Sequence, residues 1–202
     1  MPKGKPLTEA ELCSRRREIA HASIDLFLTA GFPETSMRAI AEAAGMGKSS
    51  LYDYFATKDD ILLFMLDEFT LALAESAEAI ARRDAPPDAR IRQIMEVQLS
   101  YLQANNQLFW LLSAEAQRLR PESQQRIHQR RYAFQDLVAS LIEAGIAEGR
   151  FRPVQPLNAA RLLTNSLMTV LYTTRPAGSP EAMLGEAVDI FLRGIAPEGA
   201  QG

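Results

Sequence analysis

The sequence predicts an all-α protein, on three observations. Apolar residues return every three or four positions along most of the 202-residue chain, the spacing of one helix face. No segment alternates polar and apolar residues for long enough to build a strand. Glycine or proline stands close to most places where an apolar stripe ends. The expected architecture is an N-terminal three-helix domain over residues 8–57 and a larger helical domain over residues 58–196, with about nine helices in all.

Each element follows in order. The first helix runs from Thr8 or Glu11 to Ala30; Ile19, Ser23, Leu26, Phe27 and Ala30 share its apolar stripe, and Gly31 stops it. Thr35 or Ser36 caps the second helix, which carries Ile40 and Ala44 on its inner face. It ends at Gly45, where a left-handed C-cap is needed and a β-carbon costs energy. Met46 plugs the corner, Ala41 is small enough for close approach, and a third helix runs from Lys48 to Phe55 with Leu51 and Phe55 inward. The fourth helix, Lys58 to about Arg83, makes about seven turns around Ile61, Leu62, Met65, Leu66, Phe69, Leu73, Ala77 and Ile80. Asp59 and Asp60 suit the positive end of its dipole, and Pro86-Pro87 breaks it. The fifth spans Asp88 to Ala104 around Ile91, Ile94, Met95, Gln98, Leu99 and Leu102, and Asn105-Asn106 turns the chain. The sixth covers Gln107 to Leu119, Pro121 interrupts, and the seventh runs from Glu122 to Glu148 with Gly149 as its C-cap. The eighth spans Leu157 to Thr174 and the ninth Pro180 to Ile195, with a frayed tail beyond.

Composition narrows the function classes. A hydrophobic fraction of 47% is that of a folded chain. No apolar run reaches the length of a membrane span, and the N-terminus lacks an apolar signal core, so a cytoplasmic protein with no membrane partner is expected. Cys13 is the single cysteine; it excludes an intramolecular disulfide and fits a reducing compartment. His21 and His128 lie on separate helices without metal-ligand spacing, and no glycine-rich phosphate loop follows a strand. No catalytic residue, metal or cofactor is therefore assigned. Net charge is −3, divided as +1 over residues 1–58 and −4 over the rest, so bulk charge does not signal a nucleic-acid partner.

Residues 35–58 carry the functional signal. Two short helices across a glycine turn leave Lys48, Ser49, Ser50, Tyr52 and Tyr54 around the exposed side of the second, with Thr35, Ser36 and Arg38 on the approach. A helix that presents a lysine, hydroxyls and phenols outward is suited to phosphates and base edges in a major groove. Lys48 and Lys58 are the expected phosphate contacts, Tyr54 divides between contact and core, and Lys3 and Lys5 are either a minor-groove arm or a disordered tail.

The run Thr35 to Lys58 resembles the DNA-binding domain of TetR/AcrR-family transcriptional regulators. The resemblance is carried by Arg38, Ile40-Ala41, Ala43-Ala44-Gly45, Leu51-Tyr52, Tyr54-Phe55, Lys58 and Ile61-Leu62, and upstream by Arg16-Arg17-Glu18-Ile19 and Ala30-Gly31-Phe32. Gly47 stands where the family often has serine, which weakens the cap of the recognition helix, and Ser49 where it often has glycine, which bears on the operator sequence. The resemblance implies a DNA operator of palindromic half-sites, a homodimer, and repression relieved by a small apolar or amphipathic effector.

The rest of the chain offers matching surfaces. The last two helices are apolar around much of their circumference, which calls for partners on more than one side. Leu162, Ser166, Val170, Leu184, Val188, Phe191, Leu192 and Ile195 are the expected dimer interface, with burial inside one subunit as the alternative. Phe64, Met65, Phe69, Met95, Gln98, Leu99, Phe109, Trp110, Ser113, Phe134, Asn165, Met168 and Tyr172 are the candidate effector residues, an apolar set with a few polar groups. Ordinary core packing explains the same residues without a ligand. Arg118, Arg120, Arg126, Arg130 and Arg131 form either a solvated face or a phosphate site for a ligand such as an acyl-coenzyme A. A helical interaction module without DNA binding would keep the dimer helices but leave Lys48 and Tyr52 unexplained.

Overall fold

The computed structural model describes residues 8–197; Lys3 and Lys5 lie outside them, as do the last five residues of the tail. Among the described residues there are nine helices and no strands: α1 (Glu9–Thr29), α2 (Met37–Ala43), α3 (Lys48–Tyr52), α4 (Lys58–Ala81), α5 (Pro87–Ala104), α6 (Asn106–Ala116), α7 (Pro121–Ala147), α8 (Pro156–Tyr172) and α9 (Pro180–Gly194).

Local chemistry sets most of these limits. Thr8 caps α1 by accepting from the Glu11 amide, and the Glu11 carboxylate accepts from the Thr8 amide in return. Those bonds hold the Glu11 carboxyl below its ordinary pKa, the backbone bond contributing most. Ser179 caps α9 by accepting from the Ala182 amide and Gln155 caps α8 by accepting from that of Asn158, each followed by proline, which arrives with its dihedral angle set for the first helical turn. α7 ends at Gly149, at φ +70°, where the Arg150 amide reaches back to the Gly145 carbonyl at 2.8 Å and the Gly149 amide to that of Ile146 at 3.0 Å. These are the two bonds of a Schellman closure, and the left-handed residue they require is glycine.

The chain forms two compact units. The first comprises the described part of Met1–Phe69 together with Asn105–Ile127, and the second Thr70–Ala104 with the described part of His128–Gly202. This division falls elsewhere than at residue 57, because the start of α4, α6 and the start of α7 gather with α1 to α3. α6 packs on α1, Arg17 of α1 pairs with Glu68 of α4, and Arg126 of α7 pairs with Asp67 of α4.

The first unit buries Ile19, Ala20, Phe27, Phe32, Ile40, Ala41, Leu51, Phe55, Ile61 and Leu62. Phe27 and Phe32 meet edge to face at 5.0 Å. Ser23, fully buried, donates its hydroxyl to the Ile19 carbonyl at 2.8 Å, which removes the penalty of an unpaired polar group. On α1 the buried face is Ile19, Ala20, Ser23 and Phe27, whereas Ala30 is exposed; on α2, Ala41 replaces the expected Ala44 beside Ile40. In the second unit α5, α8 and α9 pack on one another around Ile91, Ile94, Met95, Leu99, Leu163, Leu167, Leu184 and Val188. Each such side chain contributes about 1.5–3 kcal/mol when fully buried.

Candidate nucleic-acid interface

The interface is built on α2 and α3. Ser36 caps α2, its Oγ accepting from the Ala39 amide at 3.2 Å. Thr35 does not cap: it is 4% exposed, and its hydroxyl donates to the Gly31 carbonyl at 2.8 Å. A hydroxyl buried and bonded in this way cannot meet a DNA strand, which corrects the expected role of Thr35. Gly45, at φ +66°, closes α2 with amide bonds from Met46 to Ala41 at 2.9 Å and from Gly45 to Glu42 at 3.1 Å. This sharp exit turns the chain so that Leu51 of α3 and Ile40 of α2 are both fully buried.

α3 is shorter than its pattern suggests and ends at Tyr52 rather than Phe55. The Tyr54 and Phe55 amides both donate to the Leu51 carbonyl at 3.0 Å, and the Asp53 amide to that of Ser50 at 3.2 Å. The chain therefore tightens after one turn, which keeps Phe55 inward at 4% exposure without extending the helix. Gly47 stands at the N-cap and supplies no side-chain bond.

Outward from this scaffold stand Ser36, Arg38, Lys48, Ser49, Ser50 and Tyr52, all exposed. The Lys48 ammonium lies 5.9 Å from the centroid of the Tyr52 ring, four residues on, so the two long side chains lean together. Arg38 donates to Glu42 at 2.9 Å, and that hydrogen bond, with the carboxylate's charge, raises the pKa of a group already always ionised. The pair is open to solvent, where a phosphate can compete for the guanidinium at little cost. Tyr54 is half-buried, and its carbonyl accepts from Arg16 Nε at 3.2 Å and Nη2 at 3.1 Å.

Lys58 overturns its expected role. Its ammonium donates to the carbonyls of Phe32 at 2.7 Å, Pro33 at 2.6 Å and Thr35 at 3.1 Å, and lies 4.8 Å from the Phe32 ring centroid. An ammonium has three hydrogens, and all three have partners inside the protein. Nothing in local sequence announces this, because the partners lie 23 to 26 residues away.

The expected dimer surface divides into two faces. Val170, Leu184, Val188 and Ile195 turn into the subunit's own core, at 6%, 1%, 1% and 6% exposure, which corrects their assignment to an interface. Leu162 is 70% exposed and shares a groove between α8 and α9 with Ser166 and Phe191, while Leu192 is half-buried against the core. Ile190, 66% exposed, lines the same groove and lies outside the expected set. Helices apolar on both sides do not show from period alone which stripe faces home.

The candidate effector residues are divided between the two units. Phe64, Met65, Phe69, Phe109, Trp110 and Ser113 belong to the first unit, where Phe69 stacks near Phe109 at 6.3 Å and Phe109 meets Trp110 at 5.5 Å. Met95 and Leu99 are sealed in the core of the second unit, and buried Gln98 donates from Nε2 to the Leu73 carbonyl at 2.8 Å. Met168 packs against the same core. Asn165 and Tyr172 are exposed, Asn165 in the α8–α9 groove rather than inside. Phe134 alone of the set lines a cleft of about 560 Å³ between the second half of α4 and α7, with Leu137, Leu141 and Arg90. The arginines are not a free cluster: Arg118 pairs with Glu115, Arg126 with Asp67, and Arg131 lies over the Tyr132 ring.

Known proteins match this arrangement. Residues 19–65 match the family profile "Bacterial regulatory proteins, tetR family", and residues 84–195 match "Tetracyclin repressor-like, C-terminal domain". The HTH-type transcriptional repressor KstR2 of Mycobacterium tuberculosis is 28% identical over 192 residues, 92% of this chain and 95% of that protein. PfmR, a TetR-family regulator from Thermus thermophilus, superposes with a TM-score of 0.73 at 25% identity, over 87% of this chain and 97% of that one. AibR, solved in complex with isovaleryl coenzyme A and operator DNA, shares the fold with a TM-score of 0.69 at 22% identity, over 87% of this chain and 97% of that one. With one profile spanning the helix pair and the other more than half of the chain, the protein belongs to the TetR family of bacterial transcriptional regulators.

Proposed function

We propose that this regulator represses transcription as a homodimer bound to an operator through Arg38, Lys48, Ser49, Ser50 and Tyr52, and releases it when a small apolar or amphipathic effector binds. The observation that carries the reading is the arrangement of α2 and α3. Ile40, Ala41, Leu51 and Phe55 are buried around the Gly45 turn, whereas Arg38, Lys48, Ser49, Ser50 and Tyr52 are all exposed. Lys48 and Arg38 supply phosphate contacts, and the hydroxyls with Tyr52 reach base edges or sugar.

The α8–α9 groove, with Leu162 and Ile190 bare, suits a second copy, and a twofold dimer presents two α3 helices to half-sites about one helical turn or a multiple apart. The cleft beside Phe134 is the proposed effector site, since alanines, leucines and Phe134 supply most of its walls and Glu78, Arg82 and Arg90 add charged groups. An effector shifts the protein away from the DNA-competent state only by its difference in affinity for the two states. A protein that works on DNA belongs in the cytoplasm, and no helix among the described residues is long and apolar enough to cross a membrane.

The test is selection of a duplex from randomised DNA, followed by mobility shift of that duplex at a series of salt concentrations. Lys48→Ala should weaken binding across sequences and lower the slope of log K against log salt by about 0.9. Failure of the wild-type protein to enrich any duplex would refute the reading.

A further inference from the structure

Two cations from outside the helix pair grip its two ends. At the entrance, Lys58 of α4 gives its ammonium to the carbonyls of Phe32, Pro33 and Thr35 and covers the Phe32 ring. At the exit, Arg16 of α1 gives Nε and Nη2 to the Tyr54 carbonyl and sets its guanidinium 5.3 Å from the Phe55 centroid. The two ends are alike in construction. In each, a cation from a long helix takes main-chain carbonyls of the segment leading into or out of the pair and caps a buried aromatic ring of that segment.

The pair needs such holding. α2 has seven residues and α3 five, too short to keep their orientation without tertiary support, and α3 starts at Gly47 without a side-chain cap. The carbonyls in question lie in connecting segments, where a donor must come from elsewhere or from water. A charged donor gives a stronger bond than a neutral one, and the half-buried setting of both cations protects it from competing solvent.

We propose that Arg16 and Lys58 are positioning residues for DNA recognition, which set the angle at which α2 and α3 are presented, and that Lys58 contacts no phosphate. The proposal rests on the DNA-binding reading above and departs from the simpler view that a lysine at the edge of a DNA-binding face is there for its charge. The two views differ in what arginine does at position 58. A planar guanidinium keeps the charge but cannot converge three donors on carbonyls that surround a compact ammonium. As a phosphate ligand, Lys58 would tolerate the change; as a clamp, it would not.

The experiment compares wild type with Lys58→Arg, Lys58→Met and Arg16→Gln, with Lys48→Ala as the phosphate-contact control, on the duplex selected by the wild-type protein. Lys58→Arg and Arg16→Gln should each lose roughly tenfold or more in affinity. Their salt slopes, and that of Lys58→Met, should stay at the wild-type value, whereas Lys48→Ala loses about 0.9 of slope. Amide exchange of residues 36–52 is measured on the same proteins without DNA and should speed up about tenfold in Lys58→Arg and Arg16→Gln while thermal melting shows them folded. Wild-type affinity in Lys58→Arg, a slope reduced by about one in Lys58→Met, or unchanged exchange in both clamp variants overturns the proposal. If the wild type selects no duplex, the DNA-binding reading fails, and the exchange measurement still decides whether the clamp exists.

Discussion

Gly145→Ala offers a severe test of the packing. Gly145 is buried in α7, in an ordinary helical conformation, and alanine there ought to help by about 1 kcal/mol on helix propensity alone. The surroundings forbid it. A β-carbon at residue 145 would lie 2.1 Å from Cδ2 and 2.2 Å from Cε2 of Phe151, and 3.1 Å from its Cγ. The Phe151 ring, 5% exposed, cannot retreat with its backbone, because the amides of Arg150 and Phe151 both donate to the Gly145 carbonyl, at 2.8 and 3.1 Å. Tilting the ring costs about 1–3 kcal/mol as overpacking, and expelling it about 3–5 kcal/mol, the scale of removing a buried phenylalanine. Set against the propensity gain, the net loss is about 2 kcal/mol. At a denaturant dependence near 2 kcal/mol/M, the urea midpoint should fall by roughly 1 M, read by circular dichroism at fixed protein concentration because dimerisation would add to stability. The control is the same substitution in a Phe151→Ala background, where the clash is gone and Gly145→Ala should stabilise by up to about 1 kcal/mol. A midpoint at or above wild type for Gly145→Ala, or an equal penalty in both backgrounds, would refute the reasoning.

Two further predictions concern the functional surfaces. At Gly47 an added β-carbon meets only the hydroxyls of Ser49 and Ser50, at 3.9 and 4.0 Å, so Gly47→Ser should raise thermal stability by about 0.3–1 kcal/mol through a capping bond and a stiffer unfolded chain, while Gly47→Ala, without the hydroxyl, should gain less or lose; equal gains for both would exclude the capping explanation. On the proposed dimer face, Leu162→Asp with Ile190→Asp should shift sedimentation from dimer to monomer without unfolding the subunit, whereas Val188→Ala, fully inside, should cost about 1–3 kcal/mol of stability and leave the dimer formed; a dimer that survives both exposed aspartates would place the interface elsewhere.

How far the sequence could be read depended on the range of the interactions involved. Gly45 and Gly149 were legible as helix ends because a left-handed residue, its carbonyl partners and the helix it closes lie within six positions of each other. The buried stripe of α5 was legible residue by residue, since Ile91, Ile94, Met95, Gln98, Leu99 and Leu102 follow one helical period and all are buried. The faces of α8 and α9 were not, because both sides of each helix are apolar, and only the packing of α5 decides that Val188 turns inward and Ile190 outward. The surroundings of Gln98 and Asn165 were not legible for the same kind of reason: buried Gln98 donates from Nε2 to the Leu73 carbonyl, and exposed Asn165 lines the α8–α9 groove.

By itself, the sequence determined the helical class, the glycine turns at Gly45 and Gly149, and the run from Thr35 to Lys58 that carries most of the family likeness. These are properties of neighbouring residues, and a local stretch of chain contains their causes. Tertiary structure decided which of those residues are free to act. Lys48 and Lys58 are the same side chain ten positions apart, one opening α3 and the other opening α4. One leans over an exposed tyrosine, and the other is surrounded by three carbonyls contributed by a turn more than twenty residues earlier. Charge is written in the sequence; whether it faces DNA or holds the fold depends on partners that only folding brings within reach.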